Sequence, residues 1–523
     1  MRRARPTPPD LSLLRPALSR PRREKGTGGS PGPPSAPLRL GNKRGFVADM
    51  TVAVPGHIFR EYDIRGVADR DLSDAIAHGI GRGFGAMLAE DRGAARSGSE
   101  PLRVAVGRDC RLSSPRLFAA LVKGLSESGA HVIDVGEGPT PMLYFAAHHL
   151  GTDGAVMITG SHNPGDENGF KMMRGKASFF GPDIQALKAR IEKGDYGPQK
   201  EGTHEKQDVQ DAYVEEMKKR FDFSKATGLS FVVDAGNGAG GPLAIRTMTA
   251  LGLSPDPLFC EMDGRFPNHH PDPTVLSNIE TLIARVKATK ARVGIAYDGD
   301  ADRLGAVDET GEVIWGDKLM ILFSRALLKE RAGATILGEV KCSQTLYDDI
   351  AKHGGNPVIW KTGHSLIKTK MKETGALLAG EMSGHLFFAD RYFGYDDAIY
   401  ASLRLLEILA SDPRPLSAML ADVPKTFTTP ELRVDCPDAI KFKVVAAVTQ
   451  HFKAAGNEVL DIDGARISFG GKKGGPPTWG LVRASNTGPI LVMRFEAGTA
   501  EELDAIRHQV EAVVAAERAK LAS

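Results

Sequence analysis

Three aspartates at alternating positions, in Asp298-Gly299-Asp300-Ala301-Asp302-Arg303, concentrate more chemistry than any other stretch of this 523-residue chain. Carboxylates this close repel one another unless a cation lies between them, and an all-oxygen donor set selects a hard divalent ion, Mg2+ or Ca2+. A solvated acidic turn is the competing reading, and the tight spacing favours the metal. The stretch also approaches an EF-hand loop, with Glu309 at position twelve. Arg303 stands where that loop needs glycine, however, and residues 292–297 read as a strand rather than an entering helix. Three carboxylates leave room for a phosphate oxygen, and Arg303 offers a fork of donors to the same or a neighbouring phosphate.

A second candidate is Thr159-Gly160-Ser161-His162-Asn163-Pro164. Alone it is a serine in an Asn-Pro turn. Threonine at 159 breaks the G-x-S-x-G pattern and disfavours a hydrolase nucleophile elbow. A serine at the carboxyl end of a parallel strand nevertheless lies where α/β ligand sites form, and Lys171 is placed to bring an ammonium beside it. In Gly380-Glu381-Met382-Ser383-Gly384-His385, Glu381 and Ser383 would take adjacent sugar hydroxyls if both face one way, and His385 would exchange a proton. An ordinary polar turn fits that stretch equally well. Arg483-Ala484-Ser485-Asn486-Thr487-Gly488 offers hydroxyls, an amide and backbone N–H groups to a phosphate, with Arg494 in support. A solvated hairpin turn is its alternative. Three weaker polar turns hold Tyr62 and Arg65, Arg108 and Asp109, and His364. Gly236-Asn237-Gly238-Ala239-Gly240-Gly241 satisfies G-x-G-x-x-G, with Glu261 about 20 residues further on. No other loop suits a nicotinamide or flavin, so the glycines are read as a tight strand-to-helix turn.

The elements that must position these loops alternate in type. Residues 102–106 read as a strand. Ser114-Pro115 then opens a helix with a cap and a first-turn proline, its apolar positions at Leu117, Phe118, Leu121, Val122 and Leu125 follow helical spacing, and Gly129 ends it. Residues 131–135 read as the next strand. Strand-then-polar-turn units recur at 229–241, 293–303 and 335–343, which predicts three related α/β domains with mixed, largely parallel sheets. The last part differs: a strand pair around 483–495 precedes a helix with a capping box at Thr499 and Glu502. That predicts a C-terminal α+β domain.

Composition narrows the class. The chain is 41% apolar and 25% charged, ordinary for a globular protein, and no apolar run reaches the ~18 residues of a membrane span. Cys110, Cys260, Cys342 and Cys436 are scattered, which argues against a zinc knuckle or disulfide framework and fits a reducing, cytoplasmic compartment. Residues 1–49 carry eleven Lys/Arg against three Asp/Glu, a net of +8, so the remainder carries −6 and gives no support to nucleic-acid binding. That Pro-, Gly- and Arg-rich stretch lacks usable periodicity and is expected to be a disordered or non-native extension, with Met50 as the start.

Taken together, the four loops, in this order, resemble the α-D-phosphohexomutase family and its bacterial phosphomannomutase/phosphoglucomutase branch, from about Gly56 to the C-terminus. The resemblance implies four domains around a central cleft, 50–207, 208–311, 312–425 and 426–523. They contribute the phosphoserine, metal, sugar and phosphate loops in turn. It implies that Ser161 carries the phosphoryl group and that Asp298, Asp300 and Asp302 hold one Mg2+ together with that phosphate. Glu381 and Ser383 would bind sugar hydroxyls, and Arg483, Ser485, Asn486 and Thr487 the distal phosphate. Lys171 and His385 become general acid/base candidates, and Tyr62, Arg65, Arg303, Lys341 and His364 line the cleft. The reaction implied interconverts hexose 1- and 6-phosphates of mannose and/or glucose through a 1,6-bisphosphate, which also serves as activator. Sugar phosphates are then the only partners expected, with no nucleic acid, membrane or stable protein partner. Phosphoglucosamine mutases typically carry Gln where Met382 stands and Ser-Gly-Thr-Glu at 485–488; this chain follows the mannose/glucose pattern, although Gly488 departs from it. A phosphoglucosamine mutase and a metal-dependent sugar phosphatase are the alternative readings.

Overall fold

In the computed structural model, residues 54–522 are described apart from 96–99, 227, 471–475 and 487. The N-terminal extension and Thr487 therefore lie outside the described residues. Three successive sheets share one design. In each, four core strands stand in the spatial order fourth, third, first, second. The first sheet uses Leu102–Arg108, Ala130–Glu137, Gly154–Ile158 and Glu167–Arg174. The second uses Phe231–Asp234, Asp256–Leu258, Val293–Tyr297 and Leu304–Asp308, and the third Thr335–Glu339, Asn356–Trp360, Leu378–Gly380 and Leu386–Phe388. The first three strands of each set are parallel and the fourth is antiparallel to the third.

This geometry explains the recurrence in the sequence and corrects its register. The units at 102, 229 and 335 are first strands, whereas the one at 293 is a third strand. Parallel neighbours need a crossover, and helices such as Ser114–Glu127, Gly241–Ala250 and Gln344–Lys352 supply it. The third and fourth strands are antiparallel neighbours, so a short loop suffices between them. The serine, metal and sugar loops all occupy that one topological position.

The third strands are buried along their length, Gly154–Ile158 and Val293–Tyr297 completely. This is what a central strand covered on both faces requires. Two local expectations fail. Ser114 does not cap its helix: its hydroxyl donates to Asp109 Oδ1 at 2.6 Å, and the flanking Ser113 makes no side-chain cap bond. Arg65 lies in a short strand, Ile64–Val67, not in a turn.

The C-terminal sheet has six strands and is antiparallel throughout. Helices Asp438–Ala454 and Ala500–Ala522 cover it. Thr499 Oγ1 accepts from Glu502 N at 3.2 Å, the first half of the expected capping box. Its loop between Trp479–Ala484 and Ile490–Ala497 again joins antiparallel neighbours. All four domains belong to one compact unit from Asp49 to Ser523. No described helix is long and apolar enough to cross a membrane.

Candidate active site

The serine loop is wrapped around one cation. Arg111, with a fully buried side chain, ion-pairs with Asp109 at 3.2 Å. Its guanidinium donates to the carbonyls of Ser161 and Asn163 at 2.7 Å each, of Glu167 at 2.8 Å, and of Pro164. Ser161 takes a left-handed φ of 51°, a conformation that costs a non-glycine residue about 1–2 kcal/mol. The Arg111 bonds and the Thr159 hydroxyl, which accepts from Ser161 N at 2.8 Å, hold it there. Ser161 Oγ reaches across domains to donate to Asp298 Oδ2 at 2.9 Å, and lies 3.0 Å from His162 Nδ1.

The metal loop is built from its neighbours. Gly299 needs its missing side chain, because a Cβ there would stand 2.3 Å from the Ser161 carbonyl oxygen. The glycine-rich run at 236–241 serves the same closeness. Ala239 N donates to Gly299 O at 2.8 Å, and a Cβ on Gly238 would meet that oxygen at 2.7 Å. The dinucleotide-like motif is thus a backing plate for the aspartates, as its structural reading expects. Behind it, Pro271 O accepts from Gly299 N at 3.1 Å and His270 Nε2 approaches His162 O at 2.5 Å. Glu309 accepts from Ser417 instead of joining the aspartates, in keeping with a loop that is not an EF hand.

Asp298, Asp300 and Asp302 are wholly buried and bring one carboxylate oxygen each within 4.8 Å of the others. Burial first, then the charges of Asp302 and Asp300, push the Asp298 carboxyl well above its ordinary range. Asp300 Oδ1 and Asp302 Oδ1 are buried without a hydrogen-bond partner among the described residues. An all-oxygen set with orphaned acceptors fits a hard divalent cation. Lys171 lies among these aspartates, in the loop that the Ser161 hydroxyl also meets. Its Nζ lies 2.7 Å from Asp300 Oδ2 and in contact with Asp302 Oδ2. Burial lowers its pKa, yet Asp300 and Asp302 outweigh that and leave it raised, so the group is held as a cation.

The sugar loop meets the metal loop at Arg303, whose Nε donates to His385 Nε2 at 3.0 Å. Glu381 and Ser383 do face one another, the serine hydroxyl donating to Glu381 Oε2 at 3.2 Å. Glu381 Oε1 also accepts from Gly363 N at 2.6 Å, tying the His364 turn to the sugar loop. The His364 ring stacks on His385, centroids 5.6 Å apart, and burial holds it well below the usual imidazole range. Arg65 pairs with Asp63 at 2.7 Å and donates to Asn163 at 3.0 Å, beside the serine loop.

The fourth-domain loop joins through side chains. Asn486 Nδ2 donates to the Tyr62 hydroxyl at 2.8 Å, and that hydroxyl donates to Thr362 O at 2.9 Å, so one phenol links three domains. Arg483 pairs with Asp463 at 3.1 Å, and Ser485 is buried within the same loop. Lys341 lies 3.2 Å from Glu431 across the domain boundary. Arg494 does not support the phosphate loop: it donates to Lys341 O and sits 3.5 Å from Asp317. Arg108 pairs with Asp134 at 3.2 Å instead of reaching the site.

Sequence reasoning missed Arg111, His270 and Asp396. The run His269-His270-Pro271-Asp272-Pro273 is dense enough in polar and rigid residues to have signalled a built loop. Arg111 has Asp109 close by in sequence, but the carbonyls it gathers lie at residues 161 to 167, and Asp396 meets His385 and Lys368 from outside any motif.

The chain belongs to the phosphoglucomutase/phosphomannomutase family. Its three alpha/beta/alpha domain models match residues 56–197, 211–311 and 315–427, and the C-terminal domain model matches 431–513. Among relatives, a phosphomannomutase/phosphoglucomutase of Pseudomonas aeruginosa is 47% identical over 465 residues, spanning 88% of this chain and 96% of that protein. A phosphoglucomutase of Neisseria gonorrhoeae is 44% identical over 461 residues, spanning 87% and 96%. A crystal structure of a phosphoglucomutase/phosphomannomutase family protein from Burkholderia thailandensis superposes with a TM-score of 0.80 at 42% identity, covering 89% of this chain and 98% of that one.

Proposed function

We propose that this enzyme interconverts the 1-phosphates and 6-phosphates of mannose and/or glucose, with Ser161 as phosphoryl carrier and a hexose 1,6-bisphosphate as intermediate and activator. The observation that carries the reading is the 2.9 Å bond from Ser161 Oγ to Asp298, which puts the serine against the three-aspartate loop. Asp298, Asp300 and Asp302, with a phosphate on Ser161, would hold Mg2+, which when bound supplies charge neutralisation for the transferring phosphoryl group.

The chain's own residues supply the rest. Arg303 and Lys171 place positive charge beside the serine and metal loops. His385 stands within reach of Arg303 and Glu381 as the group that exchanges the sugar hydroxyl proton, with Lys171 as the second candidate acid/base. Glu381 and Ser383 take adjacent sugar hydroxyls. Arg483, Ser485, Asn486 and Thr487, aided by Lys341, take the phosphate that is not transferring, while Tyr62, Arg65 and His364 line the path between them. The domain limits 50–207, 208–311, 312–425 and 426–523 and a cytoplasmic location belong to the same reading.

The test is direct conversion of mannose 1-phosphate, glucose 1-phosphate and glucosamine 1-phosphate, with Mg2+ and with or without the matching 1,6-bisphosphate. Formation of mannose and glucose 6-phosphates, with phosphate mapped to Ser161 in the resting enzyme, is expected. Free phosphate without isomer would mark a phosphatase, and glucosamine 6-phosphate as the main product would mark the aminosugar branch.

A further inference from the structure

Asp396 lies outside every motif the sequence offered. It is wholly buried, and an isolated bridge to Phe387 fixes it beside the strand that begins one residue after His385. Its Oδ1 accepts from Lys368 Nζ at 3.0 Å. Its Oδ2 lies 3.0 Å from His385 Nδ1 and 3.9 Å from His364 Nδ1. On the far side of the imidazole, Arg303 Nε donates to Nε2 at 3.0 Å.

An arginine Nε–H is only ever a donor, so Nε2 must offer its lone pair, and the proton of a neutral imidazole sits on Nδ1. Asp396 Oδ2, 3.0 Å from Nδ1, is the carboxylate oxygen nearest to that proton. Asp302 Oδ1 lies on the same edge, 3.7 Å from Nδ1. Nδ1 and Asp396 Oδ2 are both buried without a hydrogen-bond partner among the described residues, so their 3.0 Å approach is the nearest polar contact that either has left to make. A carboxylate at one ring nitrogen that leaves the other as an acceptor is how a histidine base is set in one tautomer and one orientation.

We propose that Asp396 is the positioning residue for His385: it holds the Nδ1–H tautomer and keeps Nε2 available toward the site. This rests on the reading of His385 as the proton-exchanging group. In the transfer it serves, the sugar O–H bond breaks and its proton passes to His385 Nε2. The oxygen's electron pair forms the new P–O bond, and the Ser161 Oγ–P bond breaks with its pair left on Oγ. The return transfer runs the same changes in reverse. Arg303 yields Nε2 to the hydroxyl when the sugar enters, while Asp396 continues to hold the ring.

The experiment uses the full-length Mg2+-loaded enzyme. In Asp396→Asn, Lys368 retains the amide oxygen, so the amide NH2 faces Nδ1 and drives the ring proton to Nε2. We expect kcat for glucose 1-phosphate to fall by about 10²- to 10⁴-fold, with KM within about 3-fold and the thermal midpoint close to wild type. Long-range 1H–15N correlation on histidine-labelled protein should show Nδ1–H for His385 in wild type and Nε2–H in the variant. A wild-type His385 protonated on Nε2 overturns the proposal, and that measurement decides even if the variant does not fold. A kcat within about 3-fold of wild type in Asp396→Asn, while His385→Ala loses 100-fold or more, overturns the role of Asp396 and leaves His385 as the exchanging group. Full activity in His385→Ala overturns both.

Discussion

The first three domains and the fourth are held by different physics. One apolar cluster runs from Ala105 and Met157 in the first sheet through Phe231 and Ile295 in the second to Leu378 and Phe388 in the third. The fourth domain has its own core, centred on Val444, Phe452, Phe495 and Val510. It meets the third through a small patch of Val340, Trp479 and Leu481. Around that patch the seam is polar. Glu496 accepts from Ser343 at 2.6 Å and from Trp479 at 2.6 Å, and Arg466 donates to Cys342 O at 2.9 Å. A shared apolar core cannot part without exposing its area to water. Polar bonds exchange with water for a net of about 1 kcal/mol each. The difference separates the tasks: the serine and metal loops sit on the part that cannot part, and the distal loop on the part that can.

The sharpest way to break this comparison starts on the rigid side. Ser161→Ala should lower mutase turnover by about 10⁴-fold or more with its melting curve unchanged, because the carrier oxygen is gone but no core is touched. Gly299→Ala keeps every functional group, yet its Cβ must push the Ser161 carbonyl away. A displacement on the order of 1 Å should cost about 10²-fold in kcat, read in a coupled assay at saturating sugar phosphate. On the adjustable side, Tyr62→Phe removes two bridging bonds. It should raise KM about 30-fold, as two bonds of about 1 kcal/mol imply, and leave kcat within a few-fold. A fall in kcat at constant KM would mean the fourth domain is held as firmly as the other three.

Two smaller effects sharpen the contrast. The Asp298 carboxyl is raised by burial and by its fellow aspartates. A raised folded pKa stabilises below the unfolded value and loses that contribution as pH rises through the folded one. Mg2+ binds the ionised form, so its addition should lift the melting temperature by several degrees at about pH 8 and by much less at about pH 5, by calorimetry. Asp298→Asn should erase that difference. Last, Thr499→Ala removes a helix cap worth about 1 kcal/mol. Hydrogen exchange should quicken by roughly fivefold in the fourth domain and stay unchanged in the other three.

Much of this was legible in the sequence because it is local. The aspartates at 298, 300 and 302 share one loop, and alternating strands and helices declare an α/β chain. What escaped was whatever depends on distant partners. Lys171 follows the serine loop closely in sequence, but its strand runs antiparallel to Gly154–Ile158 and turns the ammonium onto aspartates 129 and 131 positions away. Arg494 follows the phosphate loop closely in sequence, yet the third domain claims it. Ser114 had the right residue type for a cap, but the helix begins on it, and its hydroxyl is taken up by buried Asp109 and Asn168.

Arg111 carries one more consequence. It gathers the carbonyl oxygens of Ser161, Asn163, Pro164 and Glu167 around a single guanidinium. No peptide among the described residues is cis, and in a trans peptide the N–H points opposite its C=O. The amides of His162, Gly165 and Asn168 are therefore turned away from Arg111. By consuming the negative ends of these dipoles inside, a buried cation polarises the loop so that its outward lining is positive, the sign that Ser161 would need around it in the proposed role of phosphoryl carrier.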